Sequence, residues 1–128
     1  MVEAQITAWL LRTESALLAL APAAGFCWDD APEPLDPQVI ARRGGGEAEY
    51  NTWGAIDLLR TKFVFECYAG QKLDTVGIAA ALLAEVEALR GGDVYWTMFE
   101  GMPDRGFHRE TARYRRDVEF EIVHKGGS

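Results

Sequence analysis

Residues 58–90 read LLRTKFVFECYAGQKLDTVGIAAALLAEVEALR, and the change of period inside this stretch decides the fold. From Arg60 to Tyr68, the residues Thr61, Phe63, Phe65 and Cys67 fall on one side, with Arg60, Lys62 and Glu66 on the other. Period two with one apolar side is the pattern of a half-buried strand. Ala69-Gly70-Gln71-Lys72 breaks the alternation, Asp74 or Thr75 supplies a capping oxygen, and a helical period then runs to Arg90, where Gly91-Gly92 stops it. On this helix Val76, Ala79, Leu82, Leu83, Val86 and Leu89 form the face expected to cover the sheet. Gly77, Ala81, Ala84 and Ala88 line the opposite face, with Glu85, Glu87 and Arg90 at its flanks. Alanine is a good helix former on any solvated face. The alternative is close approach of another helix, which small side chains permit.

Outward from this pair, Val2, Ile6, Trp9, Leu10, Thr13, Leu17 and Leu20 share one helical face, whereas Leu11 and Leu18 fall opposite. The helix therefore either breaks near Thr13, a potential cap, or is covered on both sides, and Pro22 and Gly25 end it. Gly25 to Trp28 reads as a short strand, Asp29 to Pro37 as an irregular connection carrying three prolines, and Gln38 to Arg43 as another short strand. Gly44-Gly45-Gly46 opens a loop through Glu47, Glu49, Tyr50, Asn51, Trp53 and Gly54. Asp93 to Glu100 is the next strand: Trp96 and Met98 point one way, Tyr95 and Phe99 the other, so both faces need cover and a second chain is implied. A turn-rich stretch from Gly101 to Glu110, with Asp104 and Arg105, leads to a strand from Tyr114 to His124. There Val118, Phe120 and Ile122 point inward and Asp117, Glu119 and Glu121 form an outward acidic strip. Residues 125–128 read as a frayed tail.

The expected architecture is α+β in a single domain over residues 1–128: a small, mostly antiparallel sheet of four to five strands, with an N-terminal helix and a central helix packed on one face. At 128 residues with 48% hydrophobic content the chain is long enough for one core. Its apolar runs are too short for a membrane span, it lacks a secretory signal, and it reads as a soluble cytosolic chain without a membrane partner. Cys27 and Cys67 read as small core residues rather than a disulfide. A net charge of −7, with 20 acidic and 13 basic residues, disfavours general phosphate binding.

Sites of chemistry are thin. His108 and His124 lack partners at metal-ligand spacing, Arg42-Arg43-Gly44-Gly45-Gly46 lacks the lysine and helix of a phosphate loop, and no nucleophile motif is present, so neither cofactor nor metal is expected. Glu66 beside Tyr68 and Lys62 is a conceivable acid, but reads better as the polar side of a strand. Arg109, Arg113, Arg115 and Arg116 are the sole basic concentration, and Arg113 and Arg115 share a strand face with Asp117 and Glu119. Ion pairing across strands or between subunits explains that spacing better than nucleic-acid binding.

The order of these parts resembles a known family. A helix beginning Gln5-Ile6-Thr7-Ala8-Trp9-Leu10-Leu11, a proline-rich connection, a strand ending Phe65-Glu66-Cys67-Tyr68-Ala69, an alanine-rich helix, a strand ending Glu100-Gly101 and the strand Tyr114-Arg115-Arg116-Asp117-Val118-Glu119-Phe120 are similar to the tail-completion, or tail-terminator, proteins of long-tailed non-contractile phages and of phage-derived gene transfer agents. The resemblance implies a non-enzymatic virion component at the neck. It would be a ring, six-fold in the family, that caps the tail tube, joins head to tail by giving the head-completion (stopper) ring a docking surface, and passes DNA through its centre. The implied partners are other copies of the chain, the tail tube protein and the stopper. On this reading Tyr95, Phe99, Gly77, Ala81, Ala84, Ala88, Arg113 and Arg115 are candidate subunit contacts, while Glu47, Glu49, Tyr50, Trp53, Asp104, Arg105, Glu119 and Glu121 are candidates for the lumen or a docking loop. Another connector ring of the same particle, or a small α+β ligand-binding domain or enzyme, are the competing readings; against the last, the inward set Thr61, Phe63, Phe65, Cys67 offers almost no polar group to a pocket.

Overall fold

A computed structural model of the chain describes residues 2–31, 33–50 and 57–125, with backbone alone at Ala24, 45–50 and 57–58. The order is α1 (Val2–Leu10), α2 (Ala16–Leu20), a 3-10 turn (Ala23–Gly25), β1 (Phe26–Trp28), β2 (Gln38–Tyr50), β3 (Asp57–Ala69), α3 (Lys72–Ala88), β4 (Val94–Gly101), β5 (Asp104–His108) and β6 (Arg113–Lys125). The six strands form one sheet in the order β1-β2-β3-β6-β4. β5 joins β6 on the same side as β4, so β4 and β5 together form one edge; β1 at the other edge pairs parallel with β2, and the remaining pairs are antiparallel.

The period-two reading of β3 is what the sheet shows. Thr61, Phe63, Phe65 and Cys67 are fully buried and lie opposite Ile122, Phe120, Val118 and Arg116 of β6. Val2, Ile6 and Leu10 of α1, Leu17 of α2 and Ile78, Leu82 and Val86 of α3 close over them, so all three helices share one sheet face. Trp28 meets Phe63 edge-on at 5.9 Å, and its indole N–H donates to Thr7 Oγ1 at 2.7 Å, which ties β1 to α1.

The N-terminal helix does break, and Ser15 rather than Thr13 caps the second half: its Oγ accepts from Leu17 N at 3.2 Å. Glu85, expected at a solvated flank of α3, is buried here instead. Arg12 donates to its Oε1 at 2.9 Å, Ala16 N–H to its Oε2 at 3.4 Å, and the Trp9 indole to its backbone oxygen at 2.7 Å. The Arg12 bond holds the Glu85 carboxyl below the usual carboxylate range against the opposing effect of burial.

α3 starts two residues earlier than its capping candidates. Gln71 is the N-cap without a side-chain bond, and Thr75 donates back to Lys72 O at 2.6 Å. Ile78 and Ala81 are buried while Val76 is 40% exposed, so the buried face is rotated from the expected one toward α2. After α3, Gly91 and Gly92 adopt φ of +89° and +58°, and Gln5 bridges the turn, donating to Gly91 O at 2.6 Å and accepting from Asp93 N at 2.8 Å. The positive φ favours glycine at 92, and a Cβ there would stand 2.7 Å from the Gln5 amide and displace the side chain that bridges the turn.

Three loop and strand readings are corrected. β2 does not stop at Arg43: it runs 13 residues, through the three glycines, with a register irregularity between Arg43 and Gly46. Glycines carry no side-chain alternation, which hid the strand. The stretch from Gly101 to Glu110 contains β5 rather than turns alone. In β4 a bulge between Val94 and Trp96 puts Val94 on the same face as Thr97 and Phe99, opposite His124, Ile122 and Phe120, so simple alternation fails there. Cys67 is a core residue, Cys27 is half-buried, and both are free thiols.

Candidate assembly interface

Two surfaces stand out, one polar and one apolar. The polar one is the sheet face without helices. Antiparallel pairing sets Glu66 opposite Asp117 and Val64 opposite Glu119, with Ile40 and Arg42 of β2 alongside. Carboxylates placed side by side repel unless cations intervene. Here they do. Glu66 Oε2 accepts from Arg42 Nε at 2.6 Å and Arg115 Nη2 at 3.2 Å, while its Oε1 accepts from Tyr68 OH at 2.9 Å. Arg115 also donates to Asp117 at 2.8 and 3.0 Å. Arg105 of β5 joins Asp117 at 3.0 Å to Glu119 at 3.4 Å, and Arg60 pairs with Glu121 at 2.5 Å. The result is a ladder of alternating charge across β2, β3, β6 and β5.

Burial within this ladder is uneven. Asp117 is 1% and Glu66 4% exposed, so both carboxylates are out of water and depend on their arginines. The Tyr68 phenol is pushed up to about 12, first by burial and then by its bond to Glu66, so it remains a donor at neutral pH. Glu66 is thus a structural acid, and the strip expected to present bare carboxylates at 117, 119 and 121 presents ion pairs. Arg113 lies on the same face with a different set of partners: its Nη1 donates to Leu35 O at 2.8 Å and Gln38 Oε1 at 2.5 Å, and its guanidinium stacks 4.2 Å over the Tyr68 ring.

The apolar surface follows the β4 edge and the outer side of α3. Tyr95, Trp96 and Phe99 are 40%, 46% and 43% exposed. Phe99 shares the helical face of the sheet, its ring 5.7 Å from Phe120, whereas Trp96 pairs with Val123 on the other face. Leu73 at 83% exposure and Val76 project from α3, with Ala80 and Ala84 exposed between them and the helix end. A cavity of about 270 Å³ lies between α2, α3 and the connection before β2, lined by Leu20, Leu73, Gly77 and Ile78 together with Asp36, Pro37 and Asp74. An aromatic edge strand without a partner strand beyond it, among the described residues, is a surface that natural sheets keep for pairing or cover.

The candidate residues fall as follows. Tyr95 and Phe99 lie on the exposed edge, and Gly77, Ala84 and Ala88 on the outer side of α3, but Ala81 is buried against the body of the protein. Arg113, Arg115, Arg105, Glu119 and Glu121 share the helix-free face. Asp104 stands apart at the top of the sheet, 3.3 Å from Lys72 and 3.5 Å from Arg116. Its carboxyl is held below the usual range chiefly by the Gly106 N–H at 2.8 Å. The backbones of Glu47, Glu49 and Tyr50 belong to β2 rather than to a loop, while Trp53 and residues 126–128 lie outside the described residues. Sequence reasoning missed Arg42 and Leu73 as surface elements. Arg42 was signalled by its register opposite the acid-rich strands; Leu73, at the first turn of α3, gave no signal.

The fold is therefore an α+β sandwich of one helical layer on one mostly antiparallel sheet, with the second sheet face polar and one edge aromatic. No protein-family model and no curated protein matches this chain. Among solved structures, it is similar to a chain of the virion of a native gene transfer agent particle, with a TM-score of 0.65 and 20% sequence identity over 94% of this chain and 92% of that one. At that identity the likeness is one of fold, and it takes in almost the whole of both chains.

Proposed function

We propose that this protein is a structural component of a phage-like particle, and specifically the tail terminator: a ring, six-fold by analogy with the family, that caps the tail tube and gives the stopper ring its docking surface. The observation that carries this reading is the near-complete fold likeness to a chain of a gene transfer agent virion. That likeness reaches as far as a virion chain, and the narrower role rests on the order of helices and strands, which resembles the tail-terminator family. No catalytic role is needed to account for the buried acids, since Glu66 and Asp117 are both consumed by arginines.

A closed ring of identical copies uses a head-to-tail interface, so each chain needs two unlike surfaces. The aromatic β4 edge with the outer side of α3 supplies one, and the charged helix-free face supplies the other. DNA passing through such a ring meets ion pairs at Glu119 and Glu121 rather than clustered free cations, which suits a conduit that does not grip its cargo. Localisation follows the role: at the neck of the particle, after assembly in the bacterial cytoplasm.

The test is deletion of the reading frame from its source particle, followed by electron microscopy of the lysate. Tails of uncontrolled length, or filled heads beside unattached tails, are expected. Tails of normal length with heads that leak DNA would move the assignment to another connector ring, and normal joined particles would overturn the virion reading.

A further inference from the structure

The sheet has two unpaired edges in the same half. β1 covers β2 only at Val39, Ile40 and Ala41, so from Arg42 to Tyr50 the outer backbone of β2 has no neighbouring strand among the described residues. At the opposite end β4 is outermost, and no backbone bond from Trp96 to Phe99 runs outward among the described residues. One set of rungs connects the two edges: Thr97 lies opposite Ile122, Ile122 opposite Thr61, and Thr61 opposite Gly46. In the other half the outermost strands are β1, three residues long, and β5, five. A row of free N–H and C=O groups invites another strand, and solitary edges are normally blunted by lysine, proline or a covering segment. The stretch Trp96 to Phe99 has neither lysine nor proline and keeps regular register between the two irregularities of β4. Tyr95, Trp96 and Phe99 stand exposed along it. On β2, Gly44, Gly45 and Gly46 leave the facing edge without side chains to shield it.

We infer that these two edges join: β4 of one copy pairs with the outer edge of β2 in the next copy, so that the sheet runs on from chain to chain. This rests on the ring reading above and narrows its second surface from the charged face to the β2 edge that borders it. A head-to-tail ring needs two unlike surfaces at matching positions on opposite sides of the chain, and these edges are the two ends of one set of rungs. Direction agrees as well. β2 and β6 run one way and β3 and β4 the other, so a copy that continues the sheet with the same face toward the axis meets β4 with β2 antiparallel. Antiparallel pairs are the commoner and the slightly more stable arrangement. Two β4 strands paired with one another would give a two-fold dimer, which closes no ring. With β4 and β2 joined, the helix-free faces of successive copies merge into one ion-paired surface, and the next copy covers the aromatic edge.

Cysteine pairs test this in assembled particles. On a Cys27→Ser background, with the fully buried Cys67 left in place, Met98→Cys is combined in turn with Gly46→Cys, Glu47→Cys, Ala48→Cys or Glu49→Cys. Diamide takes up the two thiol hydrogens as the disulfide forms, and a disulfide requires Cα atoms within about 7 Å. Met98 lies opposite Glu121 on the helix-free face, and register with Arg60 and Leu58 puts positions 47 and 49 on that same face. A ladder of products from two copies upward is therefore expected with position 47 or 49, but not with 46 or 48 and not from M98C alone. A dimer from M98C alone, products that ignore the alternation, or no product at any position would overturn the joint. Amide hydrogen exchange on the unsubstituted chain is the second measurement. Between the isolated chain and the particle, residues 96–99 and 44–50 should slow together, by roughly tenfold or more. Slowing of β4 without β2 would mean that a different protein sits on the β4 edge, and would overturn pairing between copies. Failure of either measurement in particles that contain the chain leaves the virion reading standing, whereas absence of the chain from purified particles overturns that reading and the joint with it.

Discussion

Replacing Glu66 with glutamine keeps the shape of the side chain and removes its charge, which isolates what the ladder contributes to the fold. Glu66 accepts three hydrogen bonds, from Arg42, Arg115 and Tyr68, at 2.6, 3.2 and 2.9 Å, with its side chain only 5% exposed. In E66Q the amide oxygen can take the Oε2 position and still accept from both arginines while its NH2 meets the Tyr68 hydroxyl, so what is lost is the negative charge that strengthens both arginine bonds. Breaking a buried pair costs about 3–5 kcal/mol. Arg42 is 41% exposed and Arg115 retains Asp117, so both cations keep partial compensation and the expected loss falls to about 2–3 kcal/mol. Urea unfolding, followed by tryptophan fluorescence, reads this directly. With a urea dependence of about 2 kcal/mol per molar, the midpoint drops by about 1–1.5 M. Asp30→Asn is the control: Asp30 is 94% exposed and 3.6 Å from Arg42, and its loss should be within about 0.5 kcal/mol of nothing. If E66Q behaves like D30N, the ladder is ornamental and the account of this sheet face is wrong.

Three further outcomes follow from the same geometry. Trp96→Ala removes an exposed fraction of 46% of a side chain worth roughly 250 Å², so if a neighbouring copy covers it, about 3 kcal/mol per interface is lost. Particle incorporation should then fall roughly 100-fold while the isolated chain stays folded by circular dichroism; undiminished incorporation rejects the edge as a contact. Gly77→Ala adds a Cβ that meets nothing within 4 Å, so it should stabilise the isolated chain by about 0.5–1 kcal/mol in thermal unfolding, yet reduce assembly if another helix approaches there. Burial lowers the pKa of His124, whose Nε2 lies 2.8 Å from Thr61 Oγ1, so below the unfolded value near 6.5 the unfolded chain binds more protons. Stability should therefore fall as pH drops below 6.5 toward the folded pKa, and His124→Gln should flatten that part of the urea-midpoint profile; parallel profiles for the two proteins would show that His124 does not report.

How far the sequence spoke depended on whether a side chain carried the pattern. β3 was legible because large apolar residues alternate with charged ones, and a strand with one buried face must read that way. β2 was half legible, because Gly44, Gly45 and Gly46 hide the period while the strand crosses a register irregularity and resumes its pairing with β3 at Gly46. The α3 face was misread by one turn position: Val76 and Ile78 are equally apolar, and only the neighbouring α2 decides that Ile78 is buried and Val76 is not. At β4 the alternation of Trp96, Met98 and Phe99 was read as the register has it, while the irregularity between Val94 and Trp96 was invisible in the sequence. Among the candidate contacts, exposure at Tyr95 and Phe99 was readable because they and the pair Trp96 and Met98 were read on opposite sides of one strand, so large residues stood on both faces. The burial of Asp117 was not, because it depends on Arg105 from β5 and Arg115 from its own strand closing over it.

On the proposed ring reading, the same ladder bears on how an acidic chain would border DNA without either holding or repelling it strongly. On the helix-free face Arg42, Arg60, Lys62, Arg105, Arg113 and Arg115 stand among Glu66, Asp117, Glu119 and Glu121, so this face carries no excess of negative charge although the chain carries −7. The surplus of negative charge therefore lies elsewhere, on the helical side and the connections, where Glu14, Asp74, Glu87 and Glu100 are exposed. Paired charges also resist competition: a phosphate approaching Arg115 must displace carboxylates already bonded at 2.8 and 3.0 Å, and it gains little at physiological salt, where the screening length is about 8 Å. An internally bonded face offers a polyanion few free cations. On the ring reading, the exposed aromatics of β4 are where the described residues offer an apolar contact to another copy.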